Sequence, residues 1–148
     1  MDAAWVVVAD SARARVFRAA SRIGPLEELE DLTNSQARQH EGDIYYSEQT
    51  RKLEMGADNL HQSNDYQPAR TPEQVLAERF AKEVASYLRR GALEKRYQRL
   101  VLAAGPQFLG ALRNELDGNT RAKVTLELPK DLSKLRADQL RSYLPERF

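Results

Sequence analysis

Carboxylates, two histidines and a run of cations are the side chains of this sequence that chemistry would use. Asp10 stands at the end of a wholly apolar stretch, Trp-Val-Val-Val-Ala at 5–9. A carboxylate on a first strand is what a two-metal nuclease needs, with further acids to hold its ions. Glu54, Asp58 and Asp131 are the acids available as partners, and no spacing ties them to Asp10. The same position suits a turn, where a short carboxylate bonds to backbone N–H groups just ahead. That is the reading adopted for Asp10. His40, beside Glu41 and Asp43, and His61 would hold a metal only if their segment folded back. Two histidines among scattered acids in a polar stretch are read as solvated, so neither a metal nor another cofactor is expected.

The cations are denser. Arg89, Arg90, Lys95, Arg96 and Arg99 lie close together, with Glu94 as the one acid among them. Arg13 and Arg15 fall on one side of an alternating segment. Such groups hold phosphates, and Tyr87 and Tyr97 would add stacking surface for bases. Cations also gather at helix C-termini for the sake of the macrodipole alone. Nucleophilic chemistry has no footing: there is no cysteine, no Gly-x-Ser-x-Gly elbow and no glycine-rich phosphate loop. Gly105-Pro106 opens a helix whose N-terminus would favour an anion, but a lone glycine is a weak signal. No catalytic residue is assigned.

These residues need a scaffold, and composition bounds it. The chain has 148 residues and a net charge of +1, with 41% apolar and 30% charged residues. Those proportions are ordinary for a soluble protein and fit one domain over 1–148, long enough to bury a core. The small net charge excludes a globally electrostatic partner and leaves only local patches. The absence of cysteine removes disulfides and thiolate metal sites and fits a reducing cytoplasm. The first apolar run is too short and too β-branched for a signal peptide or a membrane span. The expected location is cytoplasmic.

In chain order, the run from Trp5 to Ala9 reads as a strand buried on both faces. After the Asp10-Ser11 turn the pattern alternates, with Ala14 and Val16 opposite Arg13, Arg15 and Phe17. Leucines every three residues from Leu26 to Leu32 are weakly helical, but a hairpin seeks a third partner, so an edge strand is preferred. Residues 33–70 form a long polar loop, far beyond the usual connection. Thr71-Pro72-Glu73-Gln74 then announces a helix by its capping box and its N1 proline. Leu76, Phe80, Val84, Tyr87 and Leu88 mark its apolar stripe, and Gly91 ends or interrupts it. Residues 99–104 are a second buried strand, parallel to the first. A helix lined by Leu109, Leu112 and Leu116 ends at Asp117-Gly118-Asn119. Residues 122–128 alternate as an edge strand, with Val124, Leu126 and Leu128 on one face. Residues 131–144 give a short helix or a pair of turns. The whole is an α/β fold: a three-strand antiparallel meander, then alternating helix and strand, in a mixed sheet flanked by helices.

Three segments carry a family resemblance. Trp-Val-Val-Val-Ala-Asp-Ser-Ala-Arg-Ala-Arg-Val-Phe at 5–17, Leu-Val-Leu-Ala-Ala-Gly-Pro-Gln-Phe-Leu-Gly-Ala-Leu-Arg at 100–113 and Leu-Pro-Lys-Asp-Leu-Ser at 128–133 resemble the bacterial host attachment protein family. That family in turn is similar to the central domain of archaeal and eukaryotic class-1 release factors. The likeness covers nearly the whole chain except the long loop, and it implies a ribonuclease H-like fold. In release factors a Gly-Gly-Gln loop precedes the long helix and promotes peptidyl-tRNA hydrolysis. The corresponding loop here has isolated Gly42 and Gly56 and no Gly-Gly-Gln, so that activity is not carried over.

The leading expectation is a release-factor-like domain, non-catalytic or catalytically unassigned, that binds RNA, the ribosome or tRNA. Arg13, Arg15, Arg89, Arg90, Lys95, Arg96 and Arg99 would anchor it while the long loop engages its target. A protein-interaction module in attachment or surface regulation is the alternative, with His40, Tyr45, Tyr46, His61 and Tyr66 as loop contacts. A metal-dependent nuclease using Asp10 is the third.

Overall fold

The structure, a computed structural model, describes residues 3–21, 23–34, 70–145 and 148. Its centre is β1 (Ala4–Ala9), six apolar residues buried without exception. An unbroken apolar strand has no side to offer water, so neighbours must pair with both of its edges and pack on both of its faces. On one edge β2 (Arg13–Ala19) runs antiparallel, from Ala4 opposite Ala19 to Ala9 opposite Ala14. On the other, β4 (Arg99–Ala104) runs parallel, from Ala4 beside Arg99 to Ala9 beside Ala104. β3 (Glu27–Thr33) pairs antiparallel with β2, and β5 (Val124–Leu128) pairs parallel with β4. The sheet order is β3-β2-β1-β4-β5.

Two cores lie on the two faces. Trp5, Val7, Ala9, Ala14, Val16, Leu100, Leu102 and Ala104 face α1 (Pro72–Leu93) and α2 (Pro106–Glu115). Ala4, Val6, Val8, Phe17, Ala19, Val101 and Ala103 face Leu132, Leu140 and Leu144 of the C-terminal strap, which includes α4 (Ala137–Ser142). The alternation read in β2 is therefore real, with Ala14 and Val16 under the helices and Phe17 under the strap.

α1 begins where its capping box places it. Thr71 Oγ1 accepts from the Gln74 N–H at 3.1 Å, and Gln74 Oε1 accepts from the Thr71 N–H at 3.0 Å. The helix does not stop at Gly91. It runs on to Leu93, and the glycine is there for packing. A Cβ at position 91 would lie 2.6 Å from the Trp5 ring and 3.0 Å from that of Tyr97. Tyr97 lies tilted against Trp5 at 4.6 Å between centroids, and its hydroxyl donates to the Leu88 carbonyl at 2.6 Å. The helix thus sits with its bare backbone on an aromatic pair.

Two further expectations change. Asp117 does not close the preceding helix; its carboxylate caps a new short one, α3 (Gly118–Ala122), accepting from the Thr120 N–H at 3.2 Å. Nor do Val124, Leu126 and Leu128 share a face. The register shifts between Leu100 and Val101, so Val124 packs with the helices and Leu126 and Leu128 with the strap. A bulge inserts one residue, and one residue inverts a strand's faces.

Candidate nucleic-acid interface

The expected cations separate into two groups. Arg13, Arg15 and Arg99 belong to the sheet and are engaged there. Arg13 makes a two-pronged bond with Asp31, at 2.8 and 2.5 Å, which raises its own pKa chiefly through the hydrogen bond to that carboxylate. Arg15 is buried. It holds Glu28 with two bonds of 3.1 Å, donates to the Ser133 carbonyl at 3.1 Å and to the Leu135 carbonyl, and lies 4.9 Å above the Phe17 ring. A guanidinium committed on four sides is a fastener between β2, β3 and the strap. Arg99 donates to the Phe148 carbonyl. None of the three stands with the helix-borne cations.

Arg89, Arg90, Lys95 and Arg96 do gather, at the C-terminal end of α1. All four are exposed. Arg89 stands 3.8 Å from Asp117, and Arg96 stands 3.9 Å from Glu94, both at the outer limit of an ion pair. Exposed pairs of that geometry are worth little, about 0–1 kcal/mol, and leave the cations exchangeable. Arg90 and Lys95 make no ion pair among the described residues. The chain leaves the helix by a tight turn, with the Lys95 N–H bonded to the Ala92 carbonyl at 3.1 Å and the Arg96 N–H to the Gly91 carbonyl at 2.9 Å. The turn puts Lys95 at φ 57°, the left-handed region that normally favours glycine.

The aromatic partners differ in access. Tyr97 is buried, with its hydroxyl spent on Leu88, and offers no face to a base. Burial pushes its phenol well above the usual range. Tyr87 is half-buried, stacked on Trp5 at 5.6 Å between centroids. Burial also raises its phenol, while Arg90 and Arg96 pull the other way and Glu30 adds to the rise. Glu30, Arg96 and Arg90 thus all bear on the Tyr87 hydroxyl, and one half-open ring joins the end of α1 where these charges meet. Sequence spacing could not separate Tyr87 from Tyr97, because both precede or follow the helix end at similar distances.

The carboxylate constellation resolves as turn chemistry. Asp10 Oδ1 accepts from the Ala12 and Arg13 N–H groups, each at 2.8 Å, closing the β1–β2 hairpin. Asp131 does approach Asp10, through Ser133. The Ser133 hydroxyl lies 2.6 Å from Asp131 Oδ1 and 3.0 Å from Asp10 Oδ2. It has one proton for two carboxylates, so the contact joins the strap turn to the hairpin turn. Among the described residues there is no cluster of three metal-ligating side chains. Glu54, Asp58, His40, Tyr45, Tyr46, His61 and Tyr66 lie outside the described residues. No helix among the described residues is long and apolar enough to cross a membrane.

Against known proteins, the fold finds a counterpart in the crystal structure of the archaeal translation termination factor aRF1, at a TM-score of 0.52 and 13% identity. The match covers 97% of this chain and 35% of that one. A second structure, described as an archaeal protein, aligns at a TM-score of 0.47 and 10% identity, covering 95% of this chain and 34% of that one. The chain thus spans about a third of the length of each, and at 13% identity the likeness to the termination factor is one of fold. No curated protein matches the sequence. A family model described as "Protein required for attachment to host cells" matches residues 5–144, nearly the whole chain. On that match the chain belongs to the family of proteins required for attachment to host cells.

Proposed function

We propose that this chain binds RNA through its phosphate backbone at the C-terminal end of α1, as a cytoplasmic release-factor-like domain that meets the ribosome or tRNA. The observation that carries the reading is the grouping of Arg89, Arg90, Lys95 and Arg96, all exposed and none tightly paired, beside the half-open ring of Tyr87. Guanidinium groups suit phosphate because their planar donors match its oxygens. Tyr87 would stack a base while the cations fix the strand. The fold shared with a translation termination factor supports the choice of an RNA target. Nothing in this mechanism calls for hydrolysis, and the sequence has no Gly-Gly-Gln to perform it.

The test is co-sedimentation with ribosomes and binding of tRNA at low and high salt. Binding should weaken as salt rises. Arg90→Glu with Arg96→Glu should reduce the salt slope by about 2, because each arginine removed leaves one phosphate with its counterion. Binding that ignores salt, or none at all, sinks the reading.

The family description favours a second reading, an interaction module for a protein partner in attachment. It rests on Tyr45, Tyr46 and Tyr66. A partner recovered in pull-downs should disappear when residues 36–68 are deleted; its retention argues against this role. The nuclease reading finds no support in the geometry of Asp10, whose Oδ1 holds the hairpin and whose Oδ2 meets Ser133. Undiminished cleavage by Asp10→Asn would dispose of it.

A further inference from the structure

Two choices at the end of α1 run against local preference. Leu93, the last residue of the helix, is 63% exposed, where a polar residue would serve. Two residues on, Lys95 holds φ 57°, and among the described residues no other non-glycine has a positive φ. Glycine takes that conformation freely, whereas a Cβ meets the backbone there. Exposed apolar surface beside backbone strain is what a recognition site retains against the interest of the fold.

The residues around them form a strip. Tyr87, Arg90 and Leu93 follow one another at intervals of three along α1, each about one turn beyond the last. The strip reads ring, cation, aliphatic, and the turn adds Lys95 and Arg96 at its end, both exposed. Trp5 backs the Tyr87 ring at 5.6 Å between centroids and fixes its plane. Two apolar surfaces with a guanidinium between them match two unpaired bases and the phosphate that links them.

A duplex fits less well. Its bases are turned inward, so it has nothing apolar to lay on Tyr87 or Leu93. It also carries about twice the phosphate charge of one strand for the same length. Glu94 is exposed at the margin of the strip, 3.9 Å from Arg96, and Glu30 is paired with Val16, which faces α1. Mixed charge of this kind is a poor seat for a dense double row of phosphates, and a flexible single strand can arrange its few charges around it.

We propose that the end of α1 takes single-stranded RNA, with Tyr87 and Leu93 covering adjacent bases while Arg90 and Lys95 hold the phosphates. This depends on RNA binding at α1 and adds the class of RNA, with a role for Leu93 that phosphate contact alone leaves unused.

The experiment uses the full chain, an unstructured oligoribonucleotide, and the same strand annealed to its complement. The single strand should bind at least about fivefold more tightly, although the duplex has twice the phosphates. Leu93→Ser should weaken the single strand by about threefold to tenfold and leave the duplex unchanged. Lys95→Gly should weaken the single strand by about threefold or more while Tm holds or rises, because glycine relieves the turn. A duplex bound as tightly as the single strand, or an equal loss of both with Leu93→Ser, would overturn the proposal and leave RNA binding standing. Binding of neither form would remove both together. A lower Tm with Lys95→Gly would make the lysine a structural part of the turn and overturn its place in the site.

Discussion

On the helical face of the sheet, Trp5, Leu88, Gly91 and Tyr97 hold α1 by contact between apolar and aromatic surfaces. On the opposite face, residues 131–144 are held as much by polar bonds as by Leu132, Leu140 and Leu144. Arg15 takes the carbonyls of Ser133 and Leu135, Ser133 meets Asp10, and Arg141 donates to the Gly24 carbonyl at 3.1 Å. The helical face loses stability in proportion to buried area removed, and its losses spread through the whole fold. The strap face depends on a few directional bonds, each worth about 1 kcal/mol or somewhat more when charged. It is therefore the region expected to open first and alone.

The largest effect should come from Trp5→Ala, which empties the seat beneath α1. A buried tryptophan cut to alanine costs about 3–5 kcal/mol, and at this chain length each kcal/mol lowers Tm by about 2–4 °C. Thermal unfolding should show one cooperative shift that includes the strap. Next, Arg15→Met keeps much of the side chain's bulk and removes its bonds. A loss of about 2–3 kcal/mol is expected. Amide exchange should rise in residues 132–144 while α1 stays protected; uniform loss of protection would erase the distinction between the faces.

Gly91→Ala sharpens the comparison further. On an open helix alanine gains about 1 kcal/mol over glycine. Here the new Cβ would strike Trp5, so a net loss of about 1–3 kcal/mol is expected by denaturant unfolding. The smallest effect should be seen with pH. Tyr97 has its phenol raised by burial, so the stability of its neutral form is fully present below about pH 10, the unfolded value, and fades as pH climbs beyond it. Tyr97→Phe should flatten that alkaline decline while losing about 1 kcal/mol at neutral pH with the bond to Leu88.

Where local pattern decides structure, the sequence was a sound guide. The apolar run of β1, the alternation of β2 and the Thr71–Gln74 capping box all depend on neighbours a few residues away. Gly91 misleads because glycine in a helix reads as a break, while its reason is an aromatic ring from residue 5. The bulge in β5 escapes because alternation in the sequence continues through it. Arg15 resembles a surface cation by every local measure; the carbonyls that bury it come from residues 133 and 135. The candidate interface was legible in part for the same reason. Arg89, Arg90, Lys95 and Arg96 are neighbours in sequence and stay so in space, whereas Arg13, Arg15 and Arg99 face distant segments that no spacing announces.

Asn34 carries a consequence for how this chain can change. Its N–H is bonded to the Ala12 carbonyl at 2.8 Å, and its side-chain amide reaches the carbonyls of Ser11 at 3.0 Å and Leu76 at 3.4 Å. The end of β3 and the first turns of α1 are thereby tied together directly. Whatever joins them starts and finishes at nearly one place. Closing a connection between fixed ends costs only about 0.6 kcal/mol for each doubling of its length. Changing the length of the sequence between Asn34 and Arg70 should therefore cost the sheet little stability.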